Sequence, residues 1–352
     1  MVSSDDVIGA LRRVMDPELR KDVVSLGMIE DMRVEGDKAS FTLNLTTPAC
    51  PLRSEMEQNV RAAAASVKGI KHVEMKVAAS VVTTRTSDDQ SGALKGVKNI
   101  IAVASGKGGV GKSTVAVNLA LALSLSGARV GLLDADVYGP NIPMMMGVKD
   151  KPQVRDEIII PPTAYGVKVI SLGFFYKDET PLVWRGPMVA GAVKQLLTQV
   201  EWGELDYLVC DLPPGTGDVP LTLAQTVPLG GVVIVTTPQE AALNIATKAL
   251  AMFRKLNVPI LGILENMSYF VCPHCGERTY IFSAGGGAKA ASQLDVQFLG
   301  EIPLYPKVRE QSDLGKPVVV SDPDSPESSA FKDVSYRVAG MLSIVAYHAK
   351  AL

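Results

Sequence analysis

Residues 105–114 read SGKGGVGKST, and the segments on either side of them decide the fold. Gly106, Gly111, Lys112 and Ser113 satisfy the spacing G-x-x-x-x-G-K-[ST] of a phosphate-binding loop. An apolar run, NIIAVAS, precedes the loop and a helix-like segment, STVAVNLALALSLSG, follows it, which is the context the chemistry requires. Glycines let backbone N–H groups turn toward phosphate oxygens, and a helix N-terminus adds a favourable dipole. The candidate nucleotide site is therefore Gly106, Gly108, Gly109, Val110, Gly111, Lys112, Ser113 and Thr114. Lys112 is placed to neutralise β- and γ-phosphates, and the Ser113 hydroxyl to hold Mg2+. Such a loop needs one lysine, which leaves Lys107 without a role.

From Asn99 onward, short and almost wholly apolar runs alternate with helix-length segments: IIAVAS, RVGLLDAD, DYLVCDLP, GGVVIVTTP, PILGILEN and VQFLGEIP. Runs with no polar face are strands of a mostly parallel sheet covered by helices on both sides. In YLVCDLPPG, Asp211 falls just past a strand, where a carboxylate reaches Mg2+ through water. GLLDADVYG ends another strand with Asp134 and Asp136. Ligands in open α/β sheets bind at the carboxyl ends of strands, so these acids belong near the phosphates, although a strand-end Asp also serves as a plain cap or turn former.

Before this region, SSDDVIGALRRVMD reads as a capped helix, ASFTLNLT as a strand, PLRSEMEQNVRAAAASV as a helix and VEMKVAASVV as a strand. The expected organisation is a small α/β domain over 1–84, a linker over 85–98 and a nucleotide-binding domain over 99–352. Lys and Arg total 35 against 37 Asp and Glu, so no basic face is implied and nucleic acid is not an expected partner. The polar, acidic start is unlike a secretory or transit peptide, and no apolar run approaches roughly 18 residues, so a cytoplasmic location without membrane attachment is expected.

Four cysteines, Cys50, Cys210, Cys272 and Cys275, do not read as a disulfide framework in a chain of this size. Cys272 and Cys275 in CPHCG have the C-x-x-C spacing shared by zinc knuckles, iron–sulfur sites and redox pairs, and spacing alone does not separate zinc from iron–sulfur. A closed tetrahedral site needs four ligands and one chain supplies two, so two protomers on a twofold axis would complete it. Cys210 reads as a small buried strand residue. Pro51 fits a first helical turn, which places Cys50 at or beside an N-cap, where helix dipole and free N–H groups would favour a thiolate; a structural cap is the alternative.

These residues carry a resemblance. GKGGVGKS is similar to the deviant Walker A motif of the MinD/ParA and nitrogenase-iron-protein class of P-loop ATPases, and DADVYGPN, DLPPGTGD and ENMSYFVCPHCG narrow it to the Mrp/ApbC branch of iron–sulfur cluster carriers. The residues 4–83 resemble the small iron–sulfur-assembly domain fused to many such proteins. The resemblance implies a MinD-like P-loop NTPase fold, a homodimer binding ATP, Mg2+ and a [4Fe–4S] cluster at Cys272 and Cys275, and a weak ATPase activity. It also implies transfer of the cluster to apo iron–sulfur proteins and contact with scaffold proteins. By the same resemblance Lys107 reaches the partner's nucleotide across the dimer, where the alternative is a solvated loop lysine. Asp136 orients the attacking water, Asp134 lies near the Mg2+ shell, Gly215 and Thr216 belong to switch II, and Asn266 contacts adenine. The chain departs from the family at Tyr305, where an Asp is usual, and at Ser283 and Ala284 of FSAGGGAK. Rival readings are a partitioning or positioning ATPase of the MinD/ParA kind, and an electron carrier like the nitrogenase iron protein, whose cluster cysteines are far apart in sequence.

Overall fold

A computed structural model describes residues 2–85, 94–137, 139–175 and 186–350. The chain divides into two units, Met1–Val82 with Ala339–Leu352, and Thr83–Val338.

The smaller unit starts with helix α1 (Ser4–Leu11), where Ser3 and Asp6 form a capping box. Strands β1 (Ile29–Glu35) and β2 (Lys38–Leu45) pair antiparallel. Helix α2 (Arg53–Ala65) follows, and β3 (His72–Ala79) pairs parallel with β2. Alternation in β2 sends Ala39, Phe41, Leu43 and Leu45 into a core with Val7, Leu11, Met56 and Val60. The β1 strand is absent from the sequence-based reading because four of the seven residues of IEDMRVE are charged and a register shift between Glu30 and Arg33 breaks the alternation of Ile29, Met32 and Val34, which pack half-buried against the core.

In the larger unit the strands are β4 (Val97–Ser105), β5 (Val130–Asp134), β6 (Val167–Ser171), β7 (Leu205–Asp211), β8 (Gly231–Thr236), β9 (Ile260–Val271) and β10 (Phe298–Leu304). They lie in the order β6-β5-β7-β4-β8-β9-β10 and all pair parallel; Thr163–Ala164 and Arg278–Thr279 add antiparallel edges to make nine strands. Helices α3 (Lys112–Leu125), α4 (Gly186–Thr198), α5 (Asp218–Thr226), α6 (Glu240–Lys255), α7 (Gly286–Gln293) and α8 (Pro306–Asp313) belong to this unit, as does α9 (Pro326–Lys350) as far as Val338. The six strands read from sequence are present, and the fold is the expected mostly parallel α/β sheet. The strand β6 was not foreseen, since VKVIS is short and carries a lysine. The phosphate-loop strand β4 is central, and β5 lies two places away from it, so the carboxyl ends on either side of β4 form the crevice where such sheets bind ligands.

The expected boundaries need two corrections. Val97 and Lys98, assigned to the linker, already belong to β4, while residues 86–93 of that linker lie outside the described residues. The segment Ala339–Leu352 groups with the small unit rather than with residues 99–338. There the Lys21 ammonium sits 4.9 Å from the centre of the Tyr347 ring, and Gly340 lies against the Glu18 carboxylate, where an added Cβ would fall 2.8 Å from an oxygen. Among the described residues no helix is long and apolar enough to cross a membrane.

Candidate functional site

The loop after β4 ends in Gly111, the N-cap of α3, with φ 77° and ψ 26°. A side chain there would suffer the left-handed backbone and overlap the Asn266 amide nitrogen. Lys112 opens the helix with only 6% of its side chain exposed. Its Nζ lies 2.6 Å from Asp211 Oδ1, 3.5 Å from Ser113 Oγ and 3.7 Å from Asp136 Oδ2. Ser113 Oγ donates to Asp211 Oδ2 at 2.5 Å. The loop, Asp211 and Asp136 are thus brought together around one ammonium. Burial pushes the Asp211 carboxyl up, and Lys112 and the Ser113 hydroxyl oppose that. The hard oxygen pair Ser113 and Asp211 fits an Mg2+ site, where the ion would shield phosphate charge.

Asp134 is fully buried, and both its oxygens are engaged by the chain itself. Oδ1 accepts from the Asp136 N–H at 3.2 Å; Oδ2 accepts from the Ser171 hydroxyl at 2.9 Å and the Ile142 N–H at 3.3 Å. Burial, with the Asp211 carboxylate on the adjacent strand, pushes Asp134 up to about 8. Asp134 therefore holds the backbone at Asp136 and at Ile142 in place. Sequence reasoning missed Ser171, whose hydroxyl also accepts from the Gly173 N–H at 3.0 Å. Only the register Ser171↔Asp134↔Asp211 across three strands could have pointed to it.

Gly111, Lys112, Ser113 and Asp136 wall a cleft of about 520 Å³ that also takes in Lys107, Asn266, Met267 and Tyr305. That volume lies in the usual range for small-molecule sites, roughly 300–1,000 Å³. Lys107 is half-buried at the rim, and among the described residues it pairs with no carboxylate. Asn266 is buried and its Nδ2 donates to the Val110 carbonyl at 2.8 Å, so it braces the phosphate loop from the middle of β9. The Gly215 N–H donates to the Ser105 carbonyl at 2.8 Å, which ties the segment after β7 to the loop, whereas Thr216 lies in a separate groove with Leu221 and Lys248. Gly286 and Gly287 of FSAGGGAK serve packing, whereas Gly285 has open space around it and a left-handed backbone. Glu265 is buried, its Oε2 accepts from the Gly287 N–H at 2.5 Å, and a Cβ on Gly287 would sit 2.9 Å from Glu265 Cβ.

Cys272 and Cys275 lie on a hairpin between β9 and Arg278–Thr279. Cys275 is exposed and Cys272 half-buried. The Cys272 N–H donates to the Glu277 carbonyl at 3.0 Å and the Gly276 N–H to the Cys272 carbonyl at 2.9 Å. Backbone N–H groups of Cys275 and then His274 donate to the Cys272 sulfur and hold its thiol below the ordinary range. Among the described residues no group of three or more His, Cys, Asp or Glu is placed to hold a metal ion, and the hairpin itself carries two thiols. Cys210 is buried in β7, where burial pushes its thiol up. Cys50 corrects the expectation of a thiolate. The N-cap of α2 is Leu52, and burial foremost, with Glu18 and Asp16 nearby, pushes the Cys50 thiol up.

Comparison with known proteins identifies the family. Residues 96–339 match the model of the NUBPL iron-transfer P-loop NTPases, and residues 4–77 match that of the iron-sulfur cluster assembly proteins. The iron-sulfur cluster carrier protein of Synechocystis is 48% identical over 98% of this chain and 99% of its own length. The iron-sulfur cluster transfer protein NUBPL of Mus musculus is 52% identical over 71% of this chain and 79% of its own. A nucleotide-binding protein of Archaeoglobus fulgidus solved with ADP aligns at 42% identity with a TM-score of 0.60, covering 70% of this chain and 97% of its own. The cell division ATPase MinD of Pyrococcus furiosus, 22% identical with a TM-score of 0.53 over 68% of this chain and 98% of its own, shares the fold alone. With the family model spanning most of the chain, the protein belongs to the ParA family of NUBPL iron-transfer P-loop NTPases.

Proposed function

We propose that the protein is an ATP-dependent iron–sulfur cluster carrier. Two copies each present Cys272 and Cys275, and the four thiolates hold one [4Fe–4S] cluster, which is cargo for apo iron–sulfur proteins after loading from a scaffold protein. The observation that carries this reading is the exposed hairpin with its lowered Cys272 thiol and no third ligand among the described residues. Two soft sulfurs per chain are half of a cluster's requirement.

ATP would occupy the cleft with its β- and γ-phosphates on the loop amides and Lys112, and with Mg2+ on Ser113 and, through water, Asp211. Asp136 faces the same ammonium and would orient the attacking water. Lys107, which has no carboxylate partner among the described residues, would act on the nucleotide of the second copy, as an arginine finger does. Asn266 would meet the base while bracing Val110. Hydrolysis that needs both copies links nucleotide state to how the two hairpins meet.

Anaerobic reconstitution with iron and sulfide counting tests the proposal. About four iron and four sulfide per dimer are expected, and none in the Cys272→Ser/Cys275→Ser variant. A variant that keeps the same iron content would end the reading.

A further inference from the structure

Between the nucleotide cleft and the cysteine hairpin the sheet is irregular. Asn266 pairs with Ile302 and Phe270 with Leu304, so four steps along β9 answer two along β10. The extra residues form a bulge of Met267, Ser268 and Tyr269. Met267 has φ 56°, a left-handed conformation that a side chain adopts at a cost, and it lines the cleft beside Gly111. The Ser268 hydroxyl is buried and has no hydrogen-bond partner among the described residues. Tyr269 leaves the bulge on the hairpin side, where the Arg278 guanidinium stacks 4.6 Å from its ring centre and Tyr280 meets it edge-on at 6.1 Å. Tyr269 and Arg278 stand three residues before Cys272 and three after Cys275, one on each leg of the hairpin. Tyr305 closes the set, because it walls both the cleft and a second cavity that contains Tyr269.

A left-handed methionine and an unpaired buried hydroxyl in consecutive residues persist only where the surroundings hold them, and bulges re-aim strands beside functional sites. Cys272 directly follows β9 and is six residues from Asn266, a span of at most about 20 Å. From this geometry we infer that the bulge Met267–Ser268–Tyr269 is the positioning element through which nucleotide in the cleft sets the posture of Cys272 and Cys275. Nucleotide presses on Met267; the bulge leaves its strained arrangement; Tyr269 and Arg278 carry the hairpin with them. The inference rests on the proposed control of cluster binding by ATP.

The test is the rate at which a chelator removes iron from the reconstituted full-length dimer, expressed as the ratio of rates with and without MgATP. Ser268→Ala removes the unpaired hydroxyl and touches neither the cleft nor the thiols. It relieves the arrangement seen here and is expected to raise Tm while moving the ratio at least fivefold toward one. Met267→Gly relieves the left-handed backbone instead and is expected to move the ratio in the same direction. A higher Tm with the wild-type ratio in Ser268→Ala would overturn the inference and leave the bulge as packing only, whatever Met267→Gly does to ATP affinity. A wild-type ratio of one would instead sink the ATP-control reading on which the inference stands.

Discussion

Cys272 differs from the other thiols for which a shift is resolved by what points at its sulfur. Backbone N–H groups of Cys275 and His274 favour its thiolate, while burial disfavours ionisation of Cys50 and Cys210. The thiolate is the reacting form, and a lowered pKa populates it at lower pH. Iodoacetamide labelling of the cluster-free protein, read by mass spectrometry, should therefore modify Cys272 ahead of Cys50 and Cys210, with a midpoint below the ordinary thiol value of about 8.5. Equal midpoints for Cys272 and Cys50 would contradict the hairpin geometry. Ser171 is a different case, for it touches no phosphate position yet holds Asp134, which holds the backbone of Asp136. Ser171→Ala should lower ATP turnover about tenfold with KM changed little, and Ser171→Thr should restore it, because displacement of a catalytic group is felt in kcat. Lys112, Ser113 and Asp211 were legible in the sequence because loop spacing and a strand end fix them locally. Ser171 was not, since its partner is 37 residues away and meets it only through sheet register.

At the scale of elements, the all-apolar strands announced themselves, whereas β1 and β6 did not. A strand with charged residues on most positions, like IEDMRVE, or with five residues in all, like VKVIS, leaves no period to detect. The glycine-rich turn before α7 was legible as a departure from its family, and the structure supplies the consequence. Ser283 is exposed and adopts φ 113°, a region that favours glycine. Ser283→Gly should raise stability by about 1 kcal/mol, a gain of about 3 °C in thermal unfolding. At the amino ends of β4, β5 and β7, away from the cleft, Asp206 gathers Lys98 at 2.9 Å and the Arg129 N–H at 2.9 Å, with the Arg129 Nη2 at 3.2 Å. Burial alone would raise the Asp206 pKa, but Arg129 and then Lys98 outweigh it and the net shift is downward. A carboxylate with a folded pKa below its unfolded value stabilises fully above the unfolded value and loses that contribution as pH falls through the folded one. Asp206→Asn should cost about 2 kcal/mol near neutrality, and the difference from wild type should shrink below about pH 4 in urea unfolding. An unchanged difference at pH 3 would show that packing, not charge, holds this junction.

For the whole molecule the decisive matter is whether a complete site belongs to one chain or to two. Lys112 is bound into its own chain by Asp211, Ser113 and Asp136, while Lys107 stands at the rim of the same cleft with no carboxylate partner among the described residues. If Lys107 serves the other copy, a Lys107→Ala chain and a Lys112→Ala chain are each inactive as homodimers but complement each other. In the mixed dimer, the cleft of the Lys107→Ala chain keeps its own Lys112 and receives the intact Lys107 of the second chain. The other cleft lacks both lysines. Random exchange makes half the dimers mixed, each with one working site of two, so an equal mixture should regain about a quarter of wild-type ATP hydrolysis. A lysine acting within its own chain gives the mixed dimer no complete site, and the mixture would then stay as inactive as its parts. The same mixture separates catalysis from cargo, since both variants keep Cys272 and Cys275. Iron content per dimer should match wild type while hydrolysis falls, and a parallel loss of iron would mean that the lysines hold the dimer together rather than act on phosphate.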